Sequence, residues 1–363
     1  MNKTFYICIV LFVIVFTIVY FFYILDDDEH FKLINKFNFV SNYEVELEDN
    51  FGDITKELFQ QDNIREYMEG NQEDKERSYI EKFTQQYQEQ ENSPKIVQLE
   101  KIHTPRNVWT YWENKGNRTE PYTHIQLCFD TMKKHYSKYN FIILNEETIK
   151  KYLPNLRSDL NELLIAQKVD YYRVALLEKY GGIWVDADTI ALKNLDEVFE
   201  KLDNGYDFVG FGCTGKICFN GYPDPSNWVM GSRKNGILIK SCLAKLNSML
   251  DVNNKNYKYF DLGKNVIWQC KDELTNYNYY HYSSEYDGTR DVNGKWVHTP
   301  NHLSETPTKL LNEDKAFFII LANYELMNDK NNHWFLSLNR EQILNGKMWI
   351  SHLYRKGLGI YPH

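Results

Sequence analysis

Two aspartates stand two residues apart at the point where an apolar segment ends. Asp186 and Asp188 follow the run Ile183–Val185, which has the composition of a short buried strand. Because side chains alternate along a strand, Trp184, Asp186 and Asp188 are expected on the same side of the backbone. Paired carboxylates at a strand end suit a hard divalent cation, which prefers oxygen ligands and bridges them to phosphate oxygens. The spacing is compatible with metal-assisted binding of a phosphate-containing ligand, but a solvated turn is the more common explanation of an isolated D-x-D.

A second charged pair lies one element earlier in the chain. Asp170 and Arg173 are three residues apart within 157–180, a stretch that is predicted to be helical. Residues at this spacing are neighbours on one face of a helix. Gly181-Gly182 is expected to end the helix, because glycine adopts the left-handed conformation without the steric cost of a Cβ. The alternative explanation of the pair is a salt bridge on the helix surface.

The two pairs become informative when they are taken together. The D-x-D spacing by itself says little, because Asp and Glu make up 50 of the 363 residues and Asp26-Asp27-Asp28 repeats the spacing elsewhere. The longer pattern D-x-x-R…L-x-x-x-G-G-x-W-x-D-x-D, within 169–196, is far more specific. It places both charged pairs on one helix–glycine–strand unit, which is therefore the candidate site.

The elements that position this unit alternate between strands and helices. Val108–Trp112 and Phe141–Leu144 are rich in β-branched and aromatic residues and are predicted to be strands, as is Ile183–Val185. Apolar residues at helical spacing over 125–136, and the stretch 157–180, separate these strands. Such alternation predicts an α/β fold with a parallel sheet and helices on its faces. Ligands of such sheets bind beyond the carboxyl ends of the strands, where the two aspartates lie.

The N-terminus carries a membrane signal. The 21 residues of Phe5–Leu25 contain no charged side chain. A run of this length is enough to cross a bilayer as a helix. Lys3 precedes this run and four acidic residues, 26–29, follow it. A cleaved signal peptide is the competing interpretation, but the run ends in bulky aromatic residues over 20–23. We predict a single-pass type II anchor, with the domain lumenal or extracytoplasmic, Golgi- or ER-like if the host is eukaryotic.

Charge and composition divide the rest of the chain into two parts. Residues 26–100 carry 20 acidic against 8 basic residues, and 101–363 carry 30 against 33. We predict that 1–25 holds the cytosolic tip and anchor, 26–103 an acidic, Gln/Glu-rich stem, and 104–363 the globular domain. The near-neutral globular part argues against a nucleic-acid partner.

The globular part resembles a known enzyme family. Residues 106–363 are similar to the DXD glycosyltransferases of the capsular-polysaccharide-synthesis type, which are related to the family 32 sugar transferases. The similarity is strongest over 169–196 and at Trp109–Glu113, and fainter at Ser226–Trp228 and Ile350–Gly357. It implies a GT-A fold with a Rossmann-like nucleotide-binding sheet, Mn²⁺ or Mg²⁺, and a nucleotide-sugar donor. It also implies transfer to a glycan, lipid-linked or protein acceptor, with retention of the anomeric configuration.

The resemblance assigns the central roles to the two charged pairs. Asp186 and Asp188 would hold the metal on the donor diphosphate, with Asp188 the more direct ligand. The metal would act as a Lewis acid for the departing nucleoside diphosphate. Arg173 resembles the arginine that contacts the donor phosphate or sugar, and Asp170 the carboxylate that binds a donor-sugar hydroxyl.

Five further residues receive roles from the same resemblance. Trp109 resembles the aromatic residue that stacks on the nucleobase, and Trp184 is expected to pack beside the donor site, with core packing as the alternative for both. Asn227 resembles part of a motif near the sugar pocket, with a buried turn as its alternative. His352 is expected to supply a last metal ligand and Lys356 a diphosphate contact.

Two other functions are compatible with part of the pattern. The segment Ile183–Ile190 also resembles the D-x-D-x-T opening of haloacid-dehalogenase phosphatases, in which the first Asp is the nucleophile. Asp287 and Asp291 have the nominal spacing of the downstream acidic pair, but 280–286 is too polar for a buried strand. A membrane-tethered carbohydrate-binding relative without activity is the third possibility, and the intact charged pairs argue against it.

The cysteines leave the redox compartment open. Six are present, and Cys213 and Cys218 are close enough in sequence for a local disulfide, although unpaired thiols fit equally well.

Overall fold

The computed structural model describes residues 103–114, 116, 118–213, 224–252 and 256–360. The predicted anchor and the predicted stem up to residue 102 lie outside these residues, so both stay predictions. Among the residues that the structure describes, none of the helices combines the length and apolarity needed to cross a bilayer.

Within the residues that the structure describes, eight strands form two sheets. The larger sheet has six strands in the order β2-β1-β3-β6-β5-β7, and β4 pairs with β8 in a separate two-stranded sheet. The strands are β1 Asn107–Tyr111, β2 Asn140–Leu144, β3 Gly182–Val185, β4 Thr189–Ala191, β5 Phe208–Cys213, β6 Asp224–Ser232, β7 Tyr279–Ser283 and β8 Phe318–Ile320. The three strands expected from the sequence thus correspond to β1, β2 and β3.

Helices connect and cover these strands. They are α1 Thr123–His135, α2 Ile149–Tyr152, α3 Ile165–Tyr180, α4 Asp196–Asp203, α5 Ile237–Leu250, α6 Lys264–Glu273, α7 Thr299–Leu303, α8 Asn323–Asn328, α9 His333–Leu336, α10 Arg340–Asn345 and α11 Trp349–Leu358. Two short 3₁₀ segments are also present, at Ser158–Glu162 and Lys330–Asn332. The helix expected over 157–180 is therefore a 3₁₀ turn followed by α3.

The larger sheet is mixed rather than parallel, which corrects the expectation from the sequence. β1 pairs in parallel with both β2 and β3, as strand–helix alternation predicts. β6 is antiparallel to β3 and to β5, while β5 and β7 are parallel. The α/β class is confirmed. The direction of β6 was not predicted from the sequence. It is set by the pairing of β6 with β5, and such pairing leaves no periodicity in the sequence.

The junction between α3 and β3 depends on two glycines. Gly181 caps α3 with a φ of 68°, and Gly182 follows with a φ of 105°. A Cβ on Gly182 would lie 2.2 Å from the backbone oxygen of Asn107 in β1. Because no side chain fits between these backbones, β3 can pair closely with β1 and carry its carboxyl end to the site.

The sheet separates two apolar cores. Helices α3, α5 and α6 pack on the face that holds Trp109 and Trp184. Helices α1, α4 and α11 pack on the face that holds Val108, Ile183 and Val185. Both faces of the sheet are covered, so the exposed ends of β1, β2 and β3 are where a ligand can approach.

Candidate active site

The two aspartates at the end of β3 are held by hydrogen bonds from distant segments. The backbone N–H of Asp186 donates to the carbonyl oxygen of Trp228 in β6, at 2.9 Å. The indole Nε1 of Trp184 donates to Asp186 Oδ1 at 2.7 Å. The backbone N–H of Asn323 donates to Asp188 Oδ2 at 3.2 Å. Both carboxylates are therefore oriented while they remain partly exposed.

The guanidinium of Arg173 links α3 to the end of β3. Its Nη2 lies 3.3 Å from Asp170 Oδ1, and its Nη1 lies 3.5 Å from Asp186 Oδ1. Its centre is 5.3 Å from the ring of Trp184. Arg173 is 6% exposed and Asp170 is 5% exposed. The pair therefore does not lie on the helix surface, and the surface salt-bridge interpretation is wrong.

Asn227 of β6 joins the same network. Its Nδ2 donates to Asp170 Oδ1 at 2.7 Å, and its carbonyl oxygen accepts from Arg173 Nη1. Gly263, immediately before α6, closes this side of the site: a Cβ there would lie 2.6 Å from Asp170 Oδ2 and 2.5 Å from Asn227 Nδ2. Gly263 is not among the residues predicted from the sequence, because a close approach between segments far apart in the chain leaves no local pattern.

The carboxyl groups of the site outnumber the positively charged side chains that contact them. Burial raises the pKa of Asp170 to about 7, although Arg173 acts in the opposite direction. Burial also raises the pKa of Asp188 to about 7, and the neighbouring Asp186 adds to the shift. The pKa of Asp186 is likewise raised by burial, against the effect of Arg173. One guanidinium thus faces three carboxyls, and a bound cation would relieve the deficit.

The donor set of the site fits a hard divalent cation. Asp186 and Asp188 offer carboxylate oxygens, which are the ligands that Mn²⁺ and Mg²⁺ prefer. Within the described part of the chain, no group of three or more His, Cys, Asp or Glu side chains could form a metal cage. A cation held by two carboxylates leaves coordination positions for ligand oxygens and water.

The structure brings neither His352 nor Lys356 to this pair of aspartates. His352 Nε2 lies 2.9 Å from Glu313 Oε2, and Lys356 Nζ lies 3.0 Å from the same oxygen. Trp349 Nε1 donates to the other oxygen of Glu313 at 3.1 Å. His352 and Lys356 of α11 therefore bind the carboxylate of Glu313.

The two tryptophans with alternative roles are both core residues. Trp109 is 1% exposed, and its Nε1 donates to the backbone oxygen of Gly181 at 3.0 Å. Its ring packs between Tyr152 and Tyr180. Trp184 is fully buried but touches the site through Asp186 and Arg173. Core packing thus describes Trp109, whereas Trp184 lies in the core directly beneath the carboxylates.

A surface cavity lies beyond the carboxyl ends of β1 and β2. Its volume is about 400 Å³, and its lining includes Trp112, Glu113, Asn114 and Asn145. Glu113 Oε2 accepts from Tyr111 and lies 2.9 Å from the ammonium of Lys168, a nearly buried residue of α3. The sequence analysis placed the aromatic contact at Trp109, three residues before the tryptophan that lines this cavity.

The phosphatase interpretation fits the structure poorly. Thr189 directly follows Asp188, one position too early for D-x-D-x-T. Asp287 is fully buried, and its Oδ1 accepts from the backbone N–H and the hydroxyl of Thr289, at 2.9 and 2.6 Å. Asp291 Oδ1 is likewise occupied, by the backbone N–H groups of two loop residues. These two carboxylates stabilise a loop.

Comparison with known proteins finds one family match and several distant structures. A family model described as capsular polysaccharide synthesis protein matches residues 54–299, which confirms the resemblance inferred from the sequence. The structure of the PaToxG glycosyltransferase is 20% identical, covers 58% of this chain and 79% of its own, and has a TM-score of 0.34. The glycosyltransferase GlyE of Streptococcus pneumoniae TIGR4 is 15% identical, covers 50% and 46%, and has a TM-score of 0.33. Mouse xyloside xylosyltransferase 1 is 12% identical, covers 50% and 86%, and also has a TM-score of 0.33. No curated protein sequence gives a match.

Proposed function

The chain belongs to the capsular polysaccharide synthesis protein family, and we propose that it is a metal-dependent glycosyltransferase of the GT-A type. It would move a sugar from a nucleotide-sugar donor to a glycan, lipid-linked or protein acceptor. The observation that carries this proposal is the network in which Arg173 lies between Asp170 and Asp186, with Asp188 beside it. The network combines a guanidinium that would bind phosphate with carboxyls that would bind a metal and sugar hydroxyls.

Asp186 and Asp188 would hold Mn²⁺ or Mg²⁺ together with the donor diphosphate. When bound, the cation would neutralise the charge that develops on the departing nucleoside diphosphate. The fixed orientation of both carboxylates supports this role, because positioned charges cost no reorganisation during the reaction. The backbone donor from Asn323 to Asp188 and the indole donor from Trp184 to Asp186 supply that fixation.

Arg173, Asp170 and Asn227 would bind the donor next to the metal. The planar guanidinium of Arg173 presents several N–H donors, a geometry that matches phosphate or paired sugar oxygens. Asp170 would accept a hydrogen bond from a sugar hydroxyl through Oδ2, since its Oδ1 already receives Asn227 Nδ2. Relatives of the resembled type retain the anomeric configuration, so retention is the proposed outcome.

The nucleoside would lie in the cavity beyond β1 and β2. This cavity adjoins the end of β1. Strand β1 pairs with β3, the strand that leads to the two aspartates. Trp112 lines the cavity and is only partly buried, so it offers an aromatic surface to a base. We therefore assign the base contact to Trp112 in place of Trp109.

The test is calorimetry with Asp186→Asn and Asp188→Asn, using Mn²⁺ and a panel of nucleoside diphosphates. Each variant removes a negative charge and nearly preserves shape. For the wild type we expect a metal-dependent increase in nucleotide affinity, which shrinks in both variants and most in Asp188→Asn. Glycosyl transfer should fall about 10²–10³-fold, the usual effect of removing one positioned electrostatic group.

Asp314→Asn is the matched control, because Asp314 is an aspartate with a side chain 97% exposed that contacts Lys356. Its nucleotide affinity and turnover should equal those of the wild type. Normal metal and nucleotide binding by both site variants would refute the proposal. Release of phosphate from phosphate esters would favour a phosphatase, and sugar binding without turnover a carbohydrate-binding protein.

A further inference from the structure

Three aromatic rings outside the proposed donor site are wholly or partly exposed. Trp228 of β6 and Trp296, which lies between β7 and α7, are both partly exposed, and His298 is exposed. The ring centroids of Trp228 and Trp296 are 6.1 Å apart, and those of Trp296 and His298 are also 6.1 Å apart. Neighbouring rings that remain in contact with solvent offer a surface for the apolar face of a ligand.

Hydrogen bonds link this aromatic surface to both aspartates of the candidate active site. The carbonyl oxygen of Trp228 accepts from the backbone N–H of Asp186 at 2.9 Å. Asn323, whose backbone N–H donates to Asp188 Oδ2 at 3.2 Å, is the first residue of α8. Glu325, in the first turn of the same helix, contacts the histidine ring. The segments that orient the two aspartates therefore also carry or hold the exposed rings.

The orientation of His298 is fixed by Glu325. The Nδ1 atom of His298 lies 2.9 Å from Glu325 Oε1, and Glu325 Oε2 accepts from the backbone N–H of Thr299 at 2.8 Å. A carboxylate at Nδ1 favours the tautomer in which Nδ1 carries the hydrogen, so Nε2 of the neutral ring is the acceptor. The side chain is 53% exposed, and a ligand from solvent can therefore reach it.

The position of Trp296 is fixed by the loop that begins at Asp287. Trp296 forms a β-bridge with Arg290, whose guanidinium lies 5.4 Å from the indole centroid. Asp287 Oδ1 holds the start of the loop through two hydrogen bonds from Thr289, and Asp291 Oδ1 accepts from two backbone N–H groups further along. The two acidic residues that resemble a phosphatase pair thus help to hold an aromatic ring in place.

We propose that Trp296 and His298 form a subsite for a pyranose ring of the acceptor, which makes the acceptor a glycan. The C–H face of the sugar lies against the indole of Trp296, and a sugar hydroxyl donates to His298 Nε2. An apolar ring face beside one positioned hydrogen-bond acceptor suits a sugar, which presents C–H groups and hydroxyls together. The inference rests on the proposed transferase function and selects one of its three acceptor classes.

The experiment is saturation-transfer NMR with the full-length protein, Mn²⁺, a nucleoside diphosphate and a panel of methyl pyranosides. For the wild type we expect saturation of the ring protons of at least one pyranoside. Trp296→Ala and His298→Ala should weaken this signal. In transfer assays with the same pyranoside, each should raise the acceptor KM about tenfold, the usual cost of losing one hydrogen bond or ring contact. Trp296→Phe and His298→Gln should recover part of the loss, because they keep a ring or a hydrogen-bonding group.

His352→Ala is the matched control. The side chain of His352 is 50% exposed and also lies 2.9 Å from a glutamate, Glu313, but the structure does not bring it to the two aspartates. This variant should keep the wild-type sugar signal and acceptor KM. Calorimetry with Mn²⁺ and the nucleoside diphosphate identifies any variant that does not fold, and for such a position the conservative variant decides.

Two kinds of failure are distinguishable. A wild type that binds Mn²⁺ and nucleotide but saturates no pyranoside would overturn the acceptor subsite and leave the proposed function intact. Equal sugar signals for the wild type and both alanine variants would do the same, as would transfer only to a peptide or a polyprenyl phosphate. A wild type without metal-dependent nucleotide binding would instead refute the proposed function, and the acceptor assignment with it.

Discussion

Two clusters of carboxylates and cationic side chains in this protein differ in how well their charges are matched. At the end of β3, the guanidinium of Arg173 contacts both Asp170 and Asp186, and Asp188 accepts from the backbone N–H of Asn323. At α11, the single carboxylate of Glu313 receives hydrogen bonds from three side chains. The first cluster has too few donors for its carboxyls, and the second has several donors for one.

The pKa values report this contrast. Burial raises the pKa of Asp170 and of Asp188 to about 7. Burial alone would also raise the pKa of Glu313, but hydrogen bonds from His352, Lys356 and Trp349 lower it overall. A carboxylate that receives several hydrogen bonds stabilises the fold. Carboxyls with too few donors destabilise it and are typical of ligand-binding sites. His352 and Lys356 therefore belong to the matched cluster around Glu313.

Among the variants that compare the two clusters, replacing the guanidinium of Arg173 should have the largest effect on turnover. In Arg173→Lys the charge remains, but the planar fork that contacts both Asp170 and Asp186 is lost. We expect turnover to fall at least tenfold with an unchanged Tm, measured with the donor identified by the nucleotide panel. Lys356→Arg is the control in the other cluster and should leave turnover unchanged. Equal turnover for Arg173→Lys and the wild type would erase the functional difference between the clusters.

Metal affinity should depend on pH because the site carboxyls hold protons. With a pKa of about 7, Asp188 must lose its proton before it binds a cation. We expect Mn²⁺ affinity to rise about tenfold between pH 6 and pH 8, with proton release detected by calorimetry in buffers of different ionisation enthalpy. An affinity independent of pH over this range would place the metal elsewhere.

The smallest effect on activity should come from Glu313→Gln. It removes a charge that three donors share, so we expect a loss of about 1–3 kcal/mol in unfolding free energy at pH 7 and no change in turnover. Because the pKa of Glu313 is lowered in the folded state, its stabilisation is present above the unfolded pKa. The difference between variant and wild type should shrink as the pH falls through the folded pKa, measured by urea unfolding.

Asp188→Asn should behave in the opposite way in metal-free buffer. A raised pKa means that the stabilisation is present at low pH and lost as the pH rises through about 7. The variant should therefore match the wild type near pH 4 and be more stable than the wild type at pH 8. The same shift for Glu313→Gln and Asp188→Asn would contradict the contrast.

The sequence predicts the core of the site because that information is local. The glycine pair, the helix before it and the strand after it occupy one continuous segment, and Gly181 ends α3 as expected. The alternation of side chains places Trp184 beside Asp186, which the indole hydrogen bond confirms. Spacing alone was sufficient for these features.

Features that depend on distant segments were not predictable in the same way. Trp109 lies in β1 and Trp112 directly follows this strand. The sequence does not distinguish the buried ring of Trp109 from the ring of Trp112, which lines a cavity. The sequence does not show that His352 pairs with Glu313, because the two residues are 39 positions apart. Gly263 contributes only the absence of a side chain, which leaves no pattern.

The hydrogen bond from Asn323 to Asp188 also has a consequence for the order of folding. The two residues are 135 positions apart, and β8, just before Asn323, pairs with β4, just after Asp188. When only the first 300 residues have been synthesised, both aspartates are present but the segment that orients Asp188 is not. The site should therefore be assembled late, after closure of a long loop whose entropy must be overcome first. In a nascent chain, the carboxylate of Asp188 would not be oriented until the C-terminal segment had emerged.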